Sequence, residues 1–185
     1  MQKTLSVRRM AQIAVFAAVT AVLSQLSIPM PSGVPITLQT LAVALTGFVL
    51  GPALGAAAIG VYLLLGAVGL PVFAQFSGGF GTLIGMTGGF LWGFVPFAAL
   101  CGLGVRQKSL PLAAALSLAG LAVCHLLGSA QFSLVTGTGF GASFLLVSAP
   151  YLVKDVASVA AAWLLALAIN RALDKAGLRE FRLSR

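Results

Sequence analysis

Acidic residues are nearly missing from this sequence. It holds three, Asp155, Asp174 and Glu180, against eleven lysines and arginines. No charged residue of either sign stands between Arg9 and Arg106. A soluble domain carries roughly 25% charged residues, whereas this chain has 8% charged and 59% hydrophobic residues. Mean hydropathy is +1.07. That scarcity excludes a water-facing fold and calls for lipid as the solvent. There is one histidine, His125, and there are two cysteines, Cys101 and Cys124, in no motif. Free thiols and no metal cluster are expected. The nearest approach to a phosphate-binding loop, GLGVRQKS, lacks the glycine before Lys108, so the chain is not expected to hydrolyse ATP. Polar linkers, low-complexity tracts and a clear inverted repeat are absent too, and residues 1–185 read as one transmembrane domain.

What is present is a series of apolar runs. A span takes about 20 apolar residues, so 185 residues have room for about six. The patterning predicts an all-α six-helix bundle, with helices over about 9–28, 37–50, 53–69, 83–103, 111–135 and 150–171. Pro29, Pro31, Gly33 and Pro35 mark the first loop, and Gly51-Pro52 marks a tight turn. The segments LPVFAQFSGGFGT (70–82) and 136–148 read as glycine-rich connections. The basic residues and first apolar run resemble a signal peptide. The run is long enough to span and lacks a small-residue cleavage site, so it is expected to be retained.

Charge placement gives the orientation. Ten of the eleven basic residues fall in three clusters: Lys3, Arg8 and Arg9; Arg106 and Lys108; Arg171, Lys175, Arg179, Arg182 and Arg185. All three lie on one side of the predicted bundle. The positive-inside rule makes that side, with both termini, cytoplasmic. The opposite side carries three uncharged loops, 1–2, 3–4 and 5–6, which can fold over an outward-facing cavity. This placement also argues against nucleic acid as the partner of a net charge of +8.

Lys154 and Asp155 are the only charges inside a predicted span. A charge at mid-bilayer costs about 2.5–3.5 kcal/mol on insertion scales, so such residues usually face a cavity or a partner. At 1.5 Å per residue, Asp155 lies roughly 8 Å below the outer surface and His125 roughly 9 Å. They can share one polar pocket. The plainer alternatives are a snorkelling Lys154 and a hydrogen-bonded structural histidine. Gly81, Gly85, Gly89 and Gly93 recur every four residues, as a packing face or a smooth ligand wall. Ala14 and Ala18, with Ala17 and Ala21, offer internal packing or a docking face for another membrane subunit. His125 and Asp155 have no nucleophile beside them, so an intramembrane enzyme is the weakest of the function classes. A proton-coupled carrier working alone, with Asp155 as proton site, is a stronger competitor.

Three stretches carry a resemblance: VPITLQTLAVALTG at 34–47, YLLLGAVGLPVFAQFSGGFGTLIGMTGGFLWGF at 62–94 and PYLVKD at 150–155. They resemble the BioY family, the biotin-specific substrate-binding components of energy-coupling factor transporters. The resemblance spans nearly the whole chain. It implies high-affinity biotin capture and uptake in the cytoplasmic membrane of a prokaryote. It implies partnership with a transmembrane coupling subunit and two ATPase subunits, and leaves a homo-oligomer open for a chain working alone. It implies no cofactor, biotin being the transported ligand. By motif, Asp155 would accept from the ureido ring and Gln75 would add a polar contact. Thr37 and Gln39 would line the pocket, and Phe73, Phe90 and Tyr151 would wall it. Ala14 and Ala18 would form the docking face. The chain departs from the family where GPTGGY becomes Gly85-Met86-Thr87-Gly88-Gly89-Phe90, losing a hydroxyl, and at Ser158, where a lysine often stands. Lys154 or a backbone donor is left for the ligand's carboxylate.

Overall fold

The structure, a computed structural model, describes residues 6–107 and 109–177. Lys3, Lys108, Arg179, Arg182 and Arg185 of the charge argument lie outside them. The first helix, α1 (Val7–Gln25), starts at Ser6, whose Oγ accepts from the Arg9 N–H at 3.4 Å. It ends before the predicted Ile28, because Pro29 has no N–H to give the Gln25 carbonyl. The chain instead forms a short antiparallel pair, β1 (Ser27–Ile28) with β2 (Ile36–Thr37). That pair was not expected in the first loop.

Helix α2 (Gln39–Ala67) is broken at Gly51, which takes φ 78° and ψ 179°. Only glycine reaches that conformation without strain. Pro52 follows, a favourable first residue for a new helix. A Cβ placed on Gly55 would lie 3.0 Å from the Cα of Gly47. Eight residues along a straight helix are about 12 Å apart, so the chain has doubled back. The two arms, 39–50 and 52–67, are a tight helical hairpin and correspond to the second and third predicted helices.

The connection after α2 holds a 3-10 turn over Ala74–Phe76, then α3 (Phe80–Ile84) and α4 (Gly88–Gly104). The continuous helix expected over 83–103 is therefore interrupted at 85–87. The acceptors freed by the break are met by side chains. Gln131 Nε2 donates to the carbonyls of Leu83 (2.9 Å) and Gly85 (2.7 Å), and Trp92 Nε1 donates to Leu83 O (3.0 Å). The break also splits the glycine stripe. Gly89 and Gly93 press against the helix that follows, where a Cβ would meet Leu127 O at 2.2 Å and Cys124 Cα at 2.7 Å, while a Cβ on Gly81 would meet open space.

Helix α5 (Leu110–Thr136) ends at Gly137 in the left-handed region, φ 71°. The segment expected to be irregular over 136–148 contains α6 (Phe140–Val147). Its glycines fall at the start, and the apolar Phe144-Leu145-Leu146-Val147 run continues the helix. A 3-10 turn, Ala149–Tyr151, takes up Pro150, and α7 (Leu152–Lys175) follows. Helix α4 is the centre of the packing, against α5 on one side and both arms of α2 on the other. Among the described residues, four helical runs are long and apolar enough to cross a membrane: α1, α2, α5 and α6 continued by α7; α4 is apolar and shorter. Large apolar side chains such as Val15, Leu64, Leu118 and Leu165 stand exposed around the bundle, as a lipid-facing surface requires. This is a mostly helical, multi-pass membrane protein. Cys101 and Cys124 are buried free thiols.

Candidate functional site

One end of the bundle encloses a cavity of about 310 Å³, at the small end of the roughly 300–1,000 Å³ typical of ligand pockets. Its walls come from the first loop, the start of α2, the connection before α3, and α4, α5 and α7. All nine residues proposed from sequence as ligand contacts line it: Thr37, Gln39, Phe73, Gln75, Phe90, His125, Tyr151, Lys154 and Asp155.

Asp155 sits in the first turn of α7 with 4% of its surface exposed. His125, from the middle of α5, is equally buried, and its Nε2 lies 3.3 Å from Asp155 Oδ2. The depths inferred from helix rise thus meet in one place. Lys154 Nζ forms an ion pair with Asp155 Oδ1 and donates to the carbonyl of Thr37 at 3.0 Å. It is held to the pocket rather than reaching away from it. Among the described residues, His125 Nδ1 has no hydrogen-bond partner. A buried polar nitrogen in that condition costs about 1–3 kcal/mol, which a ligand group can recover. Thr40, not anticipated, places its hydroxyl by the same carboxylate.

The neighbouring polar groups are paired among themselves. Gln39 Nε2 donates to the Tyr62 hydroxyl at 2.7 Å, and Thr37 Oγ1 donates to Gln39 Oε1 at 3.1 Å. These bonds fix both side chains at the cavity wall. Phe73 lies beneath, its ring edge-on to Tyr62 with centroids 5.4 Å apart. The absent side chain of Gly66 makes that possible, because a Cβ there would come within 2.0 Å of Phe73 Cζ. Phe90 stands edge-on to His125 at 5.9 Å. Gln75 is exposed at the mouth. Tyr151 donates to the Val34 carbonyl at 2.6 Å and meets Ser32 Oγ at 3.1 Å, pinning the first loop across the opening. Met86 reaches that loop too: a Cβ on Gly33 would lie 2.9 Å from its Sδ.

Ser158, at the position of the family's frequent lysine, is outside the cavity wall; its hydroxyl donates to the Lys154 carbonyl at 2.9 Å. Ala14 and Ala18 lie on the exposed side of α1, whereas Ala17 is packed in the core. Sequence reasoning missed Gln25 and Gln131, whose amides hold the connections on either side of α3. The available signal was a glutamine inside an otherwise apolar helix, a costly choice unless its amide is used.

Fold and cavity together define a class: a small helical membrane protein with an apolar, ligand-sized pocket that presents a buried carboxylate beneath folded loops. Residues 1–175 match the BioY family, and the chain belongs to that family. It is 42% identical over 154 residues to a probable biotin transporter BioY of Pyrococcus horikoshii, covering 83% of this chain and 91% of that one. It is 36% identical over 165 residues to the biotin transporter BioY2 of Lactococcus lactis, covering 88% and 90%. The fold matches a crystal structure of the S-component for biotin from an ECF-type ABC transporter, with a TM-score of 0.79 at 23% identity, over 92% of this chain and 95% of that one.

Proposed function

We propose that this chain captures biotin at the outer face of a prokaryotic cytoplasmic membrane, as the substrate-binding subunit of an energy-coupling factor transporter. It is not an enzyme: a coupling subunit and two ATPase subunits supply the energy. The chain forms one transmembrane domain. With the arms of α2 counted separately, α1, α4, α5 and the α6–α7 run give six crossings, with both ends cytoplasmic. The relatives named as biotin transporters and the S-component fold support this reading. The observation that carries it is Asp155, a buried carboxylate in the wall of a ligand-sized cavity.

Biotin has a polar, uncharged ureido head, an apolar bicycle and a carboxylate tail. The ureido N–H groups donate to Asp155. Lys154, already directed at that carboxylate, supplies a donor for the ureido oxygen. Phe73 and Phe90 flank the bicycle, and Gln75 meets the tail at the mouth. Ala14 and Ala18 face the coupling subunit. Isothermal titration of the protein in nanodiscs is expected to show tight biotin binding. Asp155→Asn is expected to weaken it about tenfold or more, the worth of one charge-assisted hydrogen bond. A wild-type protein that does not bind biotin refutes the proposal.

The His125–Asp155 contact favours a second reading, a stand-alone carrier coupled to protons. Biotin uptake into proteoliposomes driven by a pH gradient, with no ATPase present, would establish it. Strict dependence on ATPase subunits would remove it.

A further inference from the structure

The connection before α3 contains two consecutive non-glycine residues in the left-handed region, Gln75 at φ 58° and Phe76 at φ 55°. Side chains disfavour that region, and two in succession persist only where the surroundings hold them. The turn holds itself in part. Phe73 N–H donates to Ser77 O at 3.0 Å, and Ser77 donates to Ala74 O through N–H (3.2 Å) and Oγ (2.8 Å). The remaining restraint comes from the end of α1. Gln25 Oε1 accepts from the Phe76 N–H at 2.9 Å, and its Nε2 donates to Phe73 O at 3.1 Å. One amide thus grips both sides of the strained turn. Ser24 Oγ donates to Val72 O at 2.6 Å just before it. The gripped residues carry Phe73 into the cavity wall and Gln75 to its mouth, while Gln25 itself is not part of that wall.

We propose that Gln25 is a positioning residue for the ligand: it sets the shape of the pocket mouth by holding Gln75 in its left-handed conformation, without touching the ligand. This deepens the proposed function and rests on it. Replacing Gln25 removes the acceptor of Phe76 N–H and the donor to Phe73 O together.

The test is a double-mutant cycle read by biotin titration, with hydrogen exchange of the backbone amides over 71–77 as a readout independent of ligand. Gln25→Leu is expected to weaken biotin binding about tenfold and to speed exchange over 71–77, leaving α4 and α5 unchanged. In a Gln75→Ala background the same substitution is expected to cost about threefold or less, since the side chain it positions is gone. Wild-type affinity in Gln25→Leu, a loss above threefold in the Gln75→Ala background, or unchanged exchange over 71–77 would each overturn the proposal. If Gln25→Leu does not fold, Gln25→Met, which keeps the length of the side chain and loses both the acceptor and the donor, is read by the same criteria. A wild-type chain that ignores biotin sinks the functional reading, while the exchange arm still decides whether Gln25 holds the turn.

Discussion

Asn170 Nδ2 donates to the carbonyl of Phe48 across 3.3 Å. That carbonyl would bond the N–H four residues on, but residue 52 is proline and has none. The asparagine of α7 therefore replaces a backbone donor that the hairpin turn of α2 cannot supply. Phe48 and Trp163 add an edge-on ring contact at 5.0 Å beside it. Removing the donor strands a buried acceptor, so Asn170→Leu is expected to lower unfolding free energy by about 1–3 kcal/mol. Thermal unfolding in detergent measures it, and biotin affinity of the folded fraction should not move.

The turn itself offers a sharper test. Gly51 stands at φ 78°, ψ 179°, and the tip is crossed by α4 at Gly102, where a Cβ would lie 2.4 Å from the Gly51 carbonyl carbon. Backbone cannot step aside as a side-chain end can. Gly51→Ala is expected to cost of order 1–3 kcal/mol through strain, and Gly102→Val more, through clash. The yield of monodisperse protein in size-exclusion chromatography should fall in that order.

Gly66 and Phe73 form a coupled pair at the cavity wall. Gly66→Ala puts a methyl into the Phe73 ring, an overpacking expected to cost about 1–3 kcal/mol and to weaken biotin binding by moving the ring. With Phe73→Leu in place the methyl has room, so the two substitutions together should cost less than their sum. A double-mutant cycle on melting temperature and on affinity checks this.

Tyr151 ties the first loop across the opening through its hydroxyl. Tyr151→Phe keeps the ring and loses the bond. Loop ties act on escape more than on entry, because affinity differences within one site lie mostly in dissociation. Biotin release from Tyr151→Phe is expected to be about threefold to tenfold faster, a net hydrogen bond of about 1 kcal/mol, with little change in association. Stopped-flow displacement of a fluorescent biotin derivative separates the two.

Much of this arrangement was legible in the residues. Charge scarcity and apolar run length gave the helical membrane class, and helix rise placed His125 and Asp155 at one depth, where they lie in contact. The turn at Gly51-Pro52 was visible because both residues are strong punctuators. The break at 85–87 was hidden, because Met86 and Thr87 are acceptable in a helix and the groups that end it, Gln131 and Trp92, come from elsewhere. Helix α6 was masked by glycines that mark only its approach. The grip of Gln25 on 71–76 could not be seen either, since it joins positions far apart in sequence, and no local pattern encodes such a bond.

The ion pair of Lys154 with Asp155 has one more implication. Before any guest arrives, the deep end of the hollow already balances its own electricity, plus against minus on adjacent residues of one chain. An inorganic ion would have to break that balance to settle there, whereas a molecule with a polar, uncharged head slots in without disturbing it. Discrimination at this site thus begins as a refusal of net charge at the bottom, leaving the rim to judge the rest of the guest.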